Sequence, residues 1–155
     1  MRNLNNKSFF ICATEQSGDN IGKNIILNLM EHNDSISFSG VGGSKMLPYM
    51  NNQYFSLKDF NSIGLIEILF SIKKYLNMIN KLSDLILNNN FDLVITIDSP
   101  DFNYPLAKKI RKKGYKGKIV QVVAPTVWAW RKNRAKQFSL IYDKMLTLFP
   151  FENKY

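Results

Sequence analysis

Short apolar runs and amphipathic helical stretches take turns along this chain, and that alternation restricts its fold more than any other feature. Ser8–Thr14 and Ser37–Val41 read as buried strands, each a brief apolar run bounded by polar residues. Phe91–Ile97 (Phe-Asp-Leu-Val-Ile-Thr-Ile) is the clearest strand, and Lys118–Ala124 and Lys144–Phe149 follow it. Between the first two, Ile21, Ile25, Ile26, Leu29 and Met30 recur at helical spacing behind a Ser17-Gly18-Asp19 turn. The pattern further predicts a short helix near Ser44–Met50 and a long one over Ile63–Leu87 that breaks near Ser83. A third helix carries Pro105 in its first turn and stops at Gly114, and a fourth covers Arg131–Ile141. Strands that alternate with helices predict a parallel sheet covered on both faces, a single Rossmann-like α/β domain over residues 1–155.

Composition agrees with one such domain and narrows its chemistry. An apolar share of 45% over 155 residues is enough for a core without disulfides and excludes collagen-like and disordered chains. Cys12 is the single cysteine and His32 the single histidine, so neither a disulfide nor a zinc site is expected. Cys12 reads as an inert core residue within its strand, and His32 as a solvated residue near a helix end. Every apolar run ends well short of the ~20 residues that span a bilayer. The apolar start Phe9–Ala13 is too short for a signal-peptide core, so a reducing cytoplasm is the expected compartment. A net charge of +9, with seven basic residues between Lys108 and Lys118, points to something anionic: a nucleotide, a nucleic acid or an acidic membrane.

In open parallel sheets, ligands bind where strands end and helices begin, and the unusual residues of this chain fall there. Thr14-Glu15-Gln16-Ser17-Gly18-Asp19 follows the first strand without a GxGxxG fingerprint. Amides at the following helix start suit an anion, while Ser17 or Asp19 as a simple helix cap explains the segment equally well. Gly40-Val41-Gly42-Gly43 permits close approach of a ligand to the backbone, or only a tight strand-to-helix turn. Asp98 and Asp101, at the end of the clearest strand, are the best candidates for chemistry. A carboxylate in such a place can serve as a general base. The competing role is structural, with Asp101 or Ser99 capping the next helix and Asp98 pinning a loop. Trp128-Ala129-Trp130-Arg131 sets two aromatics beside a cation, a combination that stacks on sugars and contacts phosphates. One of the two tryptophans is expected to pack inward.

The long helix carries a second signal. Leu65, Ile68, Leu69, Ile72, Leu76, Ile79 and Ile86 share one face, a stripe sufficient for core packing. Ile63, Ile66 and Phe70 fall outside it, on the side later taken by Lys73, Lys74, Asn77 and Lys81. An apolar end followed at once by lysines fits a membrane surface, or a helix end covered by a neighbouring loop.

Taken together, these loops resemble the N-terminal half of lipid-A-disaccharide synthases, bacterial glycosyltransferases. The resemblance rests on Glu15-Gln16-Ser17-Gly18-Asp19, Gly40-Val41-Gly42-Gly43 with Met46, and Ile63-Gly64-Leu65-Ile66-Glu67-Ile68-Leu69. It continues through Ile97-Asp98-Ser99-Pro100-Asp101-Phe102-Asn103, Pro125-Thr126-Val127-Trp128-Ala129-Trp130-Arg131 and Phe149-Pro150-Phe151-Glu152. Thr14 departs from the family, which usually places glycine before the glutamate, and this bears on the local geometry of Glu15.

The resemblance implies a two-domain glycosyltransferase-B fold, of which this chain corresponds to the acceptor-side domain. The C-terminal, UDP-binding domain would lie beyond Tyr155, supplied by a separate C-terminal half or a second copy. The implied reaction is an inverting transfer from UDP-2,3-diacylglucosamine to 2,3-diacylglucosamine 1-phosphate (lipid X), yielding a β-1,6-linked disaccharide phosphate and UDP, with no metal or other cofactor. On that reading Asp98 is the base, Asp101 its reserve, and Glu15 orients the acceptor. Ser17, Gly18 and Asp19 face a phosphate, Gly42, Gly43 and Asn103 join the binding set, and Trp128 and Arg131 shape the acceptor pocket. Because both substrates are acylated, Ile66, Ile68, Leu69, Phe70 and Ile72 with Lys73 and Lys74 would meet acyl chains and an anionic membrane. The implied location is the inner face of the inner membrane. Two other classes compete: a non-catalytic α/β binding module or remnant of that enzyme, and a nucleic-acid binder prompted only by the charge.

Overall fold

The computed structural model describes residues 6–60, 68–123 and 132–147 of the chain. Within them lie strands β1 (Lys7–Ala13), β2 (Ile36–Gly42), β3 (Asn52–Ser56), β4 (Leu93–Ile97), β5 (Lys118–Val122) and β6 (Lys144–Leu146). They form one sheet in the order β3-β2-β1-β4-β5-β6, parallel at every pairing. Parallel neighbours need crossover connections, and helices α1 (Gln16–His32), α2 (Ile68–Asn89), α3 (Pro100–Lys112) and α4 (Lys132–Ser139) lie in those crossovers. The chain is therefore the Rossmann-like α/β domain that its alternation predicts.

The period-two geometry of a strand divides the apolar residues between two layers. Phe9, Ile11 and Ala13 pack in one layer with Ile26 of α1, Phe38, Ile95 and Ile97. Phe10 and Cys12 face the other way, into a larger layer with Leu82 and Ile86 of α2 and Leu106 and Ile110 of α3. Cys12 is fully buried there, and burial pushes its thiol far above the ordinary range, as an inert core residue requires.

The strand order has one consequence for function. The chain steps outward from β1 through β2 to β3, then returns across the sheet by α2 to place β4 on the other side of β1. The ends of β1 and β4 thus flank the topological switch point, the crevice in which sheets of this kind bind ligands.

Several expectations are corrected. β3 was not anticipated: its Asn52 and Gln53 dilute the apolar signal, and as an edge strand it pairs only with β2. The segment near Ser44–Met50 is only a 3-10 turn at Leu47–Tyr49. α2 runs unbroken through Ser83, whose hydroxyl bonds back to the carbonyl of Asn80 at 2.7 Å. α3 begins at Pro100, not near Pro105, so Pro105 falls in its second turn and removes one intrahelical hydrogen bond.

The stripe on α2 is only partly core. Met78, Ile79, Leu82 and Ile86 are buried, whereas Ile72 and Leu76 are 53% and 55% exposed. Length explains this. Twenty-two residues of helix extend about 33 Å, while the five- to seven-residue strands beside it span about 17–23 Å. The N-terminal turns of α2 consequently overhang the carboxyl edge of the sheet.

The basic run is largely structural. Arg111 donates to the carbonyls of Ile141, Tyr115 and Gly117 and pairs with Asp143, which also takes Lys118 at 3.1 Å. Lys113 meets Asp84 at 2.5 Å, and Lys109 reaches Asn80. Burial alone would raise the Asp143 carboxyl, but the Ile119 amide, Lys118 and Arg111 together hold it below its ordinary value. Lys109, Arg111 and Lys113 thus fasten α3 to α2 and to the β5–β6 edge, and Lys118 pairs within that edge.

Candidate active site

Ala13 lies opposite Ile97 in the ladder, so the loops that follow β1 and β4 meet directly. Each lends a hydroxyl to the other's carboxylate. Ser99 donates to Glu15 Oε1 at 2.8 Å, and Ser17 approaches Asp98 Oδ2 at 3.4 Å, a longer and weaker bond. Glu15 is the N-cap residue of α1 by position, yet its side chain makes no capping bond. Ser99 stands likewise at the head of α3 without capping it. Both side chains are turned across the crevice instead.

The backbone that presents Asp98 is unusual. Asp98 and Ser99 have φ of 52° and 42°, two consecutive non-glycine residues in the left-handed region. Such a conformation costs on the order of 1–3 kcal/mol per residue and persists only where surrounding structure imposes it. Here the supports are visible. Asn103, fully buried on α3, donates to the carbonyls of Ile97 at 3.0 Å and Asp98 at 2.8 Å. The Asp98 amide bonds Val122 at 2.9 Å, and Gln121 reaches the Asp98 carbonyl at 3.1 Å.

A cleft of about 490 Å³ opens at this junction. It is lined by Thr14, Glu15, Asp98, Ser99 and Asp101 together with Ile72, Tyr75, Leu76 and Ile79 of α2 and Phe102 and Pro105 of α3. The overhang of α2 therefore has a place in the site. Tyr75 is clamped by Phe60 and Phe102, with ring centroids 5.9 and 5.7 Å away. Burial, then the nearby charge of Glu15, raises its phenol above the ordinary range. Three carboxylates in a cleft that also presents apolar side chains suit a ligand that combines hydroxyls with hydrocarbon.

Other predicted residues lie behind this rim. Asp19 has no exposed surface and accepts the amides of Gly43, Lys45 and Met46 at 2.7, 3.0 and 3.2 Å. It neither caps α1 nor faces the cleft; it ties the loop after β2 to α1. A Cβ on Gly43 would meet Asp19 Oδ2 at 2.5 Å, and one on Gly42 would meet Met46 Sδ at 2.9 Å. Gly40 has φ of +152°, and a Cβ there would lie 1.9 Å from the Ile11 carbonyl. The close approaches these glycines permit are to protein atoms. Ser17 and Gly18 lie in the first turn of α1, whose amides lack intrahelical acceptors. Lys73 and Lys74 are exposed on α2. Ile68, Leu69 and Phe70 belong to its first turn, and their side chains lie outside the described part of the structure. Ile66, Trp128 and Arg131 lie outside the described residues.

Two supports were missed in the sequence, Tyr75 and Gln121. Tyr75 was hidden among lysines. Gln121 is a lone amide in the apolar run Lys-Ile-Val-Gln-Val, but its partner Thr96 faces it from β4, a pairing that only the fold shows. Among the described residues, no group of three or more His, Cys, Asp or Glu is placed to hold a metal ion.

Fold and rim together define the class: a doubly wound α/β domain with a switch-point cleft. Comparison with solved structures places the same fold in a putative UDP-N-acetylglucosamine 2-epimerase from Listeria monocytogenes, with TM-score 0.59 and 12% identity over 91% of this chain and 38% of that one. Comparison of sequences is more specific. The family model for lipid-A-disaccharide synthetase matches residues 9–155, and the chain belongs to that family. It is 42% identical to the lipid-A-disaccharide synthase of Rickettsia typhi over 150 residues, covering 96% of this chain and 39% of that protein. The Chlamydia abortus enzyme is 40% identical over 152 residues, covering 97% and 24%. The chain thus spans well under half the length of these relatives.

Proposed function

We propose that this domain is the acceptor side of a lipid-A-disaccharide synthase that joins UDP-2,3-diacylglucosamine to 2,3-diacylglucosamine 1-phosphate. The observation that carries the reading is the cleft itself, where carboxylates and an exposed apolar helix face share one 490 Å³ space. An acylated sugar needs both.

In this reading the acceptor 6-hydroxyl attacks the anomeric carbon of the donor as the bond to UDP breaks, inverting the centre. The hydroxyl proton passes to Asp98, with Asp101 as the reserve base, and Glu15 orients the acceptor sugar. Amides of Ser17 and Gly18 at the start of α1 face a phosphate, and Trp128 and Arg131 shape the acceptor pocket. The UDP site comes from a C-terminal domain, a separate half chain or a second copy, which stabilises the departing diphosphate. A short-chain analogue of the acceptor is expected to shift the NMR signals of Glu15, Asp98, Ser99 and Tyr75 in the isolated chain. Shifts confined to the opposite edge of the sheet would refute the placement.

The same helix offers the contact with the bilayer in which both substrates reside. Ile72 and Leu76 project from α2 near Lys73, and on the next face of the helix Lys73, Lys74 and Lys81 border a groove with Phe55 and Met78. The proposed association is peripheral, at the inner face of the inner membrane; no helix among the described residues is long and apolar enough to cross a membrane. The chain should float with anionic liposomes, and Ile72→Ser with Leu76→Ser should cut the bound fraction several-fold. Unchanged flotation would remove α2 from the contact.

A further inference from the structure

We propose that Gln121 is a positioning residue, acting through the main chain of Asp98 to hold the base on the rim. The inference rests on the reading of Asp98 as that base.

Gln121 has no exposed surface, and a buried amide must find partners for both its ends. Its oxygen accepts the hydroxyl of Thr96 at 2.6 Å, directly across the β4–β5 ladder. With the oxygen occupied, the two protons of Nε2 point to the end of the sheet. There they are shared among the carbonyls of Asp98, Val122 and Val123 at 3.1, 3.1 and 3.2 Å.

Those carbonyls mark the places where two strands leave regular geometry. Asp98 and Ser99 turn left-handed after β4, and Val123 has φ of 66° after β5, a conformation a β-branched residue rarely takes. A single side chain therefore ties together both departures. Asn103, from α3, also donates to the Asp98 carbonyl, at 2.8 Å. With two amide donors on one carbonyl oxygen, the peptide after Asp98 cannot rotate freely, and the direction of the Asp98 and Ser99 side chains is set. The orientation of the amide is dictated too: the three carbonyl oxygens can only accept, so they take Nε2, and the Thr96 hydroxyl then donates to the oxygen at the other end.

The chemistry of substitution follows. Gln121→Met keeps volume and removes both donors. Thr96→Val leaves Gln121 in place but strips its buried oxygen of the hydroxyl donor and so loosens the amide, a milder change that preserves the fold should Gln121→Met fail to. The first readout requires no activity: backbone couplings and carbon shifts of Asp98 and Ser99, measured by NMR on the chain itself. Both variants should move these residues out of the left-handed region while the signals of α1 and β2 stay unchanged. The second readout is transfer by the chain joined with its C-terminal complement. There kcat should fall on the order of 100-fold with KM nearly constant, because misplacing a catalytic group by about 1 Å costs that much. Combined with Asp98→Asn, Gln121→Met should add little further loss, since both act on one group.

Left-handed signatures that persist without the Gln121 donors would overturn the proposal, whatever the rate. A changed conformation with unchanged kcat would overturn it as well, because the loop would then not be positioning the base. Should Asp98→Asn itself retain full turnover, the reading of Asp98 fails, and the coupling data still decide separately whether Gln121 holds the loop.

Discussion

Asp98→Asn, in the chain joined with its C-terminal complement, is expected to lower kcat by about 10²- to 10⁴-fold with little change in KM, the range for loss of a general base. The substitution is well suited to the question. Asparagine tolerates the left-handed φ of 52° at this position. Its amide keeps the shape of the carboxylate and still offers an oxygen to Ser17, which lies 3.4 Å from Asp98. What it loses is the capacity to take a proton. Initial rates at several acceptor concentrations separate this from a binding defect, and Glu15→Gln provides the contrast. A residue that orients the acceptor should affect KM more than kcat. Near-normal kcat in Asp98→Asn would transfer the role to Asp101 or Glu15.

The second large effect is expected in stability. Asp19→Ala should destabilise the domain by about 3–5 kcal/mol, measured by urea unfolding, because it strands two buried amides and a part-buried one at once. The carboxylate is fully buried and receives the amides of Gly43, Lys45 and Met46. Set against total stabilities of about 5–15 kcal/mol for a domain, such a loss is a large fraction of the whole. Asp19→Asn should fall between, since its NH2 group faces donors rather than acceptors. The experiment also decides between two roles for this residue. A ligand contact predicts native stability with weakened binding, whereas a clamp predicts the reverse order. A loss below about 1 kcal/mol would contradict the clamp.

Much of the fold was legible because alternating apolar runs are a local property. β1, β4 and β5 each combine a buried run with a loop of distinctive residues, so both the sheet and its functional edge could be read from them. β3 escaped because Asn52 and Gln53 carry no such pattern, and its existence depends on pairing with β2. The exposure of Ile72 and Leu76 escaped for a different reason. Periodicity reports which residues share a face of α2, but the length of the sheet decides how far that face has anything to cover. At the site, the rim residues Glu15, Asp98 and Asp101 stand out by type and position. Their supports do not. Asp19 and Asn103 looked like ligand contacts because polar residues in loops usually face outward, and only the three-dimensional path shows them enclosed. Gln121 could be recognised only by pairing it with Thr96, which requires knowing that β4 and β5 are neighbours.

The central claim is that this domain supplies the acceptor side and the base for disaccharide formation. Its most direct test is transfer from UDP-2,3-diacylglucosamine to lipid X by this chain, first alone and then mixed with a C-terminal half verified as competent. The expected result is β-1,6-linked disaccharide phosphate and UDP from the mixture, none from either part, and a rate lower by about 10²- to 10⁴-fold when the chain carries Asp98→Asn. A folded chain that binds the competent half yet yields no disaccharide would contradict it, and would mark the domain as a binding module that has kept the cleft without the reaction.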